Sequence, residues 1–134
     1  MTGSETALMA HTPFLCVVPQ RHSTDCSCAC LAMLLGVSYE DALLALRAPH
    51  VVTRGVMVRQ VLAAARRLGH PLRFCRTFDL DSDTGILGVK SPQWPTEHLV
   101  VLKDGLIVDT DATIWDVDVF LSAYDAKPTS LLTL

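Results

Sequence analysis

The sequence predicts an α+β domain, helices first and an antiparallel sheet after them. Three observations carry that expectation. Apolar residues in the first half recur at helical spacing in three segments, each closed by a glycine or a proline. The second half consists of short runs of Val, Ile and Leu divided by polar loops. Within it, Asp104-Gly105 stands between 100–103 and 106–108, a strong two-residue hairpin signal of type I′. Helices followed by paired strands define the α+β class.

The first helix is expected over about 25–35, through Leu31-Ala32-Met33-Leu34-Leu35 to a stop at Gly36, with Thr24 or Asp25 as its N-cap. The second opens at Ser38, with Asp41 three residues on in the manner of a capping box. It carries Tyr39, Ala42, Leu43 and Leu46 and ends before Pro49. The third follows Gly55; Val58, Val61, Leu62, Ala65 and Leu68 share one face, and Gly69-His70-Pro71 stops it. Strands are expected at 72–78, 86–89, 98–103, 106–109 and near 130–134, with polar loops at 79–85 and 91–96. Residues 1–12 read as an irregular tail and 13–134 as one domain, since 134 residues suit a single core.

Composition narrows the function. A net charge of −3 leaves no basic footprint for nucleic acid. No apolar run reaches the roughly 18–20 residues of a membrane span. Residues 1–11 hold no Lys or Arg and no signal-peptide core, so a cytoplasmic location is expected. Five cysteines without an export segment fit free thiols better than a disulfide framework. Cys16 and Cys75 lie in strand-like apolar runs and read as core. Half of the residues are apolar, which implies a large core or a patch covered by a partner.

Chemistry concentrates at the start of the first helix. Cys26 falls in its first turn, where unpaired backbone N–H groups and the helix dipole favour a thiolate, the nucleophilic form. A cysteine hydrolase also needs a base, a group orienting that base, and donors to the tetrahedral oxyanion. His98 opens a strand and is the candidate base. If Lys103 pairs with Leu106, the hairpin register sets Asp111 opposite His98 and Asp109 diagonal to it, all on one face. Either carboxylate is then a candidate orienter. Gln20 can donate its amide N–H to the oxyanion, with the Cys26 backbone N–H as second donor. Cys28 and Cys30 read as helix-packing residues. Residues two apart on a helix point roughly 200° apart, and no second cysteine pair with zinc spacing exists, so no metal or cofactor is expected. His11, His22, His50 and His70 read as loop or helix-end histidines, with His22 a minor alternative base.

Gln20 through Asp25-Cys26-Ser27-Cys28-Ala29-Cys30 resembles the nucleophile motif of the double-glycine leader peptidases that process bacteriocins, a papain-like family. The downstream His98-Leu99-Val100-Val101-Leu102 and Leu106-Ile107-Val108-Asp109 match the family's later elements in order and character. The resemblance implies a papain-like fold, Cys26 as nucleophile, His98 as base, Asp109 as orienter and Gln20 as oxyanion donor. It departs at Ser27, where the family has Gly, and at Thr110, where it usually has Pro; no transporter motif accompanies the domain. The expected activity is a thiol protease or amide hydrolase acting on a peptide or protein through an acyl-thioenzyme. The rival expectation is a non-catalytic papain-like module that serves as a binding or structural part of a larger secretion or viral assembly.

Overall fold

The computed structural model describes residues 17–21, 25–47 and 58–134. The tail, Cys16, Thr24, the opening of the third helix, and His11, His22 and His50 lie outside the described residues. Four helices and a six-stranded antiparallel sheet are present among the described residues, which makes the chain α+β. The helices are α1 (Cys26–Leu35), α2 (Tyr39–Leu46), α3 (Val58–Arg67) and α4 (Val117–Tyr124). The strands are β1 (Arg73–Cys75), β2 (Gly85–Lys90), β3 (His98–Lys103), β4 (Leu106–Val108), β5 (Ile114–Asp116) and β6 (Lys127–Thr133), ordered β1-β6-β2-β3-β4-β5.

The central strands are buried on both faces. Ile86, Leu99, Val101, Val108 and Leu132 face a cluster formed with α1, α2 and α3. Their strand neighbours Leu87, Val89, Val100, Leu102, Ile107 and Leu131 face a second cluster, closed by Val117 and Phe120 of α4. Successive strand side chains point to opposite faces, so a doubly covered sheet requires unbroken apolar runs. This architecture explains the high apolar fraction. Helix α1 is buried continuously from Ser27 to Met33, which is why it carries apolar and small residues all round.

Helix α2 begins as the sequence predicts, with Ser38 accepting from the Asp41 N–H at 3.0 Å. Arg67 at the end of α3 donates to the Ala45 carbonyl at 2.6 Å and ties α3 to the last turn of α2. The hairpin also holds. Lys103 pairs with Leu106, and Asp104 and Gly105 both have positive φ (51° and 75°), the type I′ pattern.

Four expectations are corrected. The 72–78 strand is only Arg73–Cys75, an edge strand with Phe74 exposed and Cys75 half-buried, so Cys75 is not core. The 106–109 strand ends at Val108, because the chain turns at Asp109. The last strand starts earlier, at Lys127. Residues 110–129, to which the sequence assigned no element, contain β5 and α4. Helix α4 is capped by Asp116, whose carboxyl oxygen accepts from the Asp118 and Val119 N–H groups.

Candidate active site

The β3–β4 hairpin positions the histidine and its carboxylate. Val101 pairs with Val108. One residue further, Asp109 leaves the strand on the face that carries His98. His98 Nε2 lies 2.8 Å from Asp109 Oδ1. The same oxygen accepts from the Thr110 N–H at 2.7 Å, which fixes the carboxylate plane. Both partners are sheltered, with side chains 22% and 8% exposed.

Asp111 is not brought to the histidine. The chain closes a tight turn after Asp109: the Ala112 N–H donates to the Asp109 carbonyl at 3.0 Å, and Ala112 has φ +70°. Asp111 faces its own loop and accepts from the Thr113 N–H at 3.0 Å. The β3–β4 pairing that would place it opposite His98 ends at Val101 and Val108, three residues too soon.

Cys26 approaches the imidazole from the helix side. Its side chain is among the groups that raise the His98 pKa. Burial, the largest influence on the imidazole, pulls its pKa down. The hydrogen bond to Asp109, the influence of the Cys26 side chain and the charges of both outweigh burial and push it up to about 9.

Gln20 reaches the same region from the segment before α1. Its backbone N–H donates to the Thr110 carbonyl at 2.7 Å, and its side-chain Oε1 accepts from the Thr110 hydroxyl. With the carbonyl end of the amide anchored, its donor end is the NH₂ group. Thr110 thus stands between Gln20 and Asp109.

Asp25 occupies the N-cap position but does not cap with its side chain. Its main-chain carbonyl accepts from Cys28 and Ala29 instead, and its carboxyl group, fully buried, turns toward Arg21 and Tyr39. Cys28 and Cys30 are fully buried. Burial first, and the Asp25 charge second, push the Cys28 thiol up to about 12, so it is no nucleophile. Cys30 is likewise held well above the usual thiol range, by burial and then by the charges of Cys26 and Asp109. Ser27, in the place where the resemblance calls for Gly, is buried, and among the described residues its hydroxyl has no hydrogen-bond partner. Among the described residues, no group of three or more His, Cys, Asp or Glu side chains is arranged to hold a metal ion.

Sequence reasoning missed an aromatic wall. The Trp94 ring lies 5.1 Å from the His98 ring and 5.2 Å from Tyr124. Trp115 and Phe120 complete the cluster. The signal was present: a tryptophan four residues before the candidate base, in a short loop with a proline on either side. Tyr124 closes the acidic side, its phenol held above the usual range by burial and then by the charges of Asp109 and Asp111.

No protein-family model and no curated protein matches the chain. Among the described residues, no single helix is long and apolar enough to cross a membrane.

Proposed function

We propose that this chain is a papain-like cysteine hydrolase that cleaves a peptide or amide bond through Cys26, His98 and Asp109. One observation carries the reading: a sheltered imidazole bound through Nε2 to a carboxylate, its pKa raised by that carboxylate and by the thiol at the N-terminus of α1. An imidazole that keeps its proton up to about pH 9 is the counter-ion a reactive thiolate needs.

The steps follow from the roles. The Cys26 thiolate attacks the carbonyl carbon, and the carbonyl electron pair moves to oxygen. The Gln20 amide and the Cys26 backbone N–H stabilise that oxyanion. His98 gives its proton to the leaving nitrogen, the C–N bond breaks, and a thioester remains on Cys26. Water then attacks the thioester, His98 accepts its proton, and the thiolate is expelled. Asp109 holds the ring orientation throughout and stabilises the imidazolium. The Trp94 ring, 5.1 Å from the His98 ring, packs beside the imidazole.

The substrate is a peptide or protein, and a leader peptide fits the resemblance at Gln20, Cys26, His98 and Asp109. Such a free-thiol nucleophile suits a reducing, cytoplasm-like compartment. The test uses a panel of peptides, among them ones with a Gly-Gly junction, incubated with wild type and Cys26→Ser. Cleavage by wild type with a transient acyl adduct on Cys26, seen by intact mass, supports the proposal. A panel left uncut, with no adduct formed by activated esters either, overturns it.

A further inference from the structure

The segment that carries Gln20 is held at two points, each beside a member of the triad. On one side, Gln20 is bound to Thr110, the neighbour of Asp109. On the other, the Arg21 N–H donates to Asp25 Oδ2 at 3.1 Å, and Asp25 is the neighbour of Cys26. The Tyr39 hydroxyl of α2 donates to that same oxygen. The Arg21 guanidinium lies 4.0 Å above the Tyr39 ring and pairs with Glu40 at 2.8 Å.

A buried carboxyl group persists only where partners hold it. At an N-cap, the ordinary partners of an aspartate side chain are the free N–H groups of its own helix. Asp25 forgoes them and straps the preceding segment onto α2 instead. The strap acts on Arg21, one residue from Gln20, so its geometry is transmitted directly to the proposed oxyanion donor. A shift of about 1 Å in such a donor is enough to lose most of its effect.

We infer that Asp25, through Tyr39 and the Arg21 amide, is a positioning residue that sets Gln20 at the oxyanion. The inference rests on the hydrolase reading above. It predicts a selective defect: reactions of Cys26 that generate an oxyanion slow down, and those that do not are spared.

Two probes separate these reactions. With p-nitrophenyl acetate, the thiolate attacks the acetyl carbonyl, an oxyanion forms, and its collapse expels p-nitrophenolate and leaves an acetyl thioester on Cys26. With iodoacetamide, the thiolate displaces iodide at a saturated carbon and no oxyanion arises. Rates of both are measured at pH 7 for wild type, Asp25→Asn, Tyr39→Phe, Gln20→Ala and Gln20→Ala/Asp25→Asn. Tyr39→Phe removes a single oxygen and serves if Asp25→Asn does not fold. Losing one oxyanion donor costs about 10²–10³-fold, so displacing it should slow acylation by about 10–100-fold in Asp25→Asn and less in Tyr39→Phe. Alkylation should stay within about twofold, and the double variant should be no slower than Gln20→Ala. Equal loss in both reactions, wild-type rates in both variants, or fully additive losses in the double variant would overturn the inference. If wild-type Cys26 itself is neither acylated nor alkylated faster than an ordinary thiol, the hydrolase reading fails first. If it reacts quickly and the Asp25 and Tyr39 variants match it, the positioning role alone fails.

Discussion

The substitution Asp109→Asn isolates the charge in the His98–Asp109 contact. Its side chain keeps nearly the same shape and an oxygen that can accept from the Thr110 N–H, but it carries no charge. In the folded protein His98 titrates at about 9, against 6.5 for an unperturbed imidazole. Histidine thus binds its proton more tightly when folded than when unfolded. The resulting stabilisation is complete below pH 6.5 and is lost as pH rises through about 9. A shift of that size corresponds to about 3 kcal/mol, shared between Asp109 and Cys26. A charge-assisted hydrogen bond contributes about 1.5–3 kcal/mol and a neutral one about 1. Asp109→Asn should therefore destabilise the fold by about 1–2 kcal/mol more at pH 6 than at pH 9.5. Urea unfolding of both proteins at the two pH values measures this difference, and titration of His98 followed by NMR should show a lower pKa in the variant. A loss of stability that does not change with pH, or a wild-type His98 that titrates near 6.5, would refute the reasoning.

Three further outcomes follow from the packing. Trp94→Ala removes a ring that touches His98, Phe120 and Tyr124, and should cost about 3 kcal/mol in thermal unfolding; a loss below about 1 kcal/mol would mean the wall is not packed. Gly85→Ala would place a Cβ 2.2 Å from the Leu132 carbonyl oxygen, a backbone atom that cannot move without disturbing the β2–β6 pairing, so a loss of about 3 kcal/mol is expected and wild-type urea stability would contradict it. Thr110→Val deletes the hydroxyl bound to Gln20 and should slow ester acylation of Cys26 while sparing its alkylation; equal slowing of both would assign Thr110 to the triad geometry rather than to Gln20.

Much of this fold was legible because local signals were strong and agreed. Asp104-Gly105 determined both the turn and the register, and that register put both carboxylates, Asp109 among them, within reach of His98. Ser38 and Gly36 marked helix ends that the structure reproduces. What was not legible depended on tertiary context. The expected register set Asp111 opposite His98 and Asp109 only diagonal to it, but the turn at Ala112 carries Asp111 into its own loop. Asp25 looked like a helix cap, but its partners are Arg21 and Tyr39, whose approach no spacing rule reveals. Helix α4 carried a readable pattern, Asp116 as cap and Val117, Phe120, Leu121 and Tyr124 at helical spacing, but the run is only eight residues long. Strand β1 fell short of its apolar sequence because an edge position pairs on one side only, with β6.

The account stands or falls on the pairing of Cys26 with His98. Its most direct test is the rate of iodoacetamide alkylation at each cysteine from pH 5 to 9, mapped by mass spectrometry, in wild type and His98→Ala. The account predicts that Cys26 alone reacts quickly at pH 6, while buried Cys28 and Cys30 stay inert, and that His98→Ala abolishes the fast reaction. A Cys26 that reacts no faster than an ordinary thiol, or one whose rate is unchanged without His98, would contradict it and favour the rival expectation of a non-catalytic binding module.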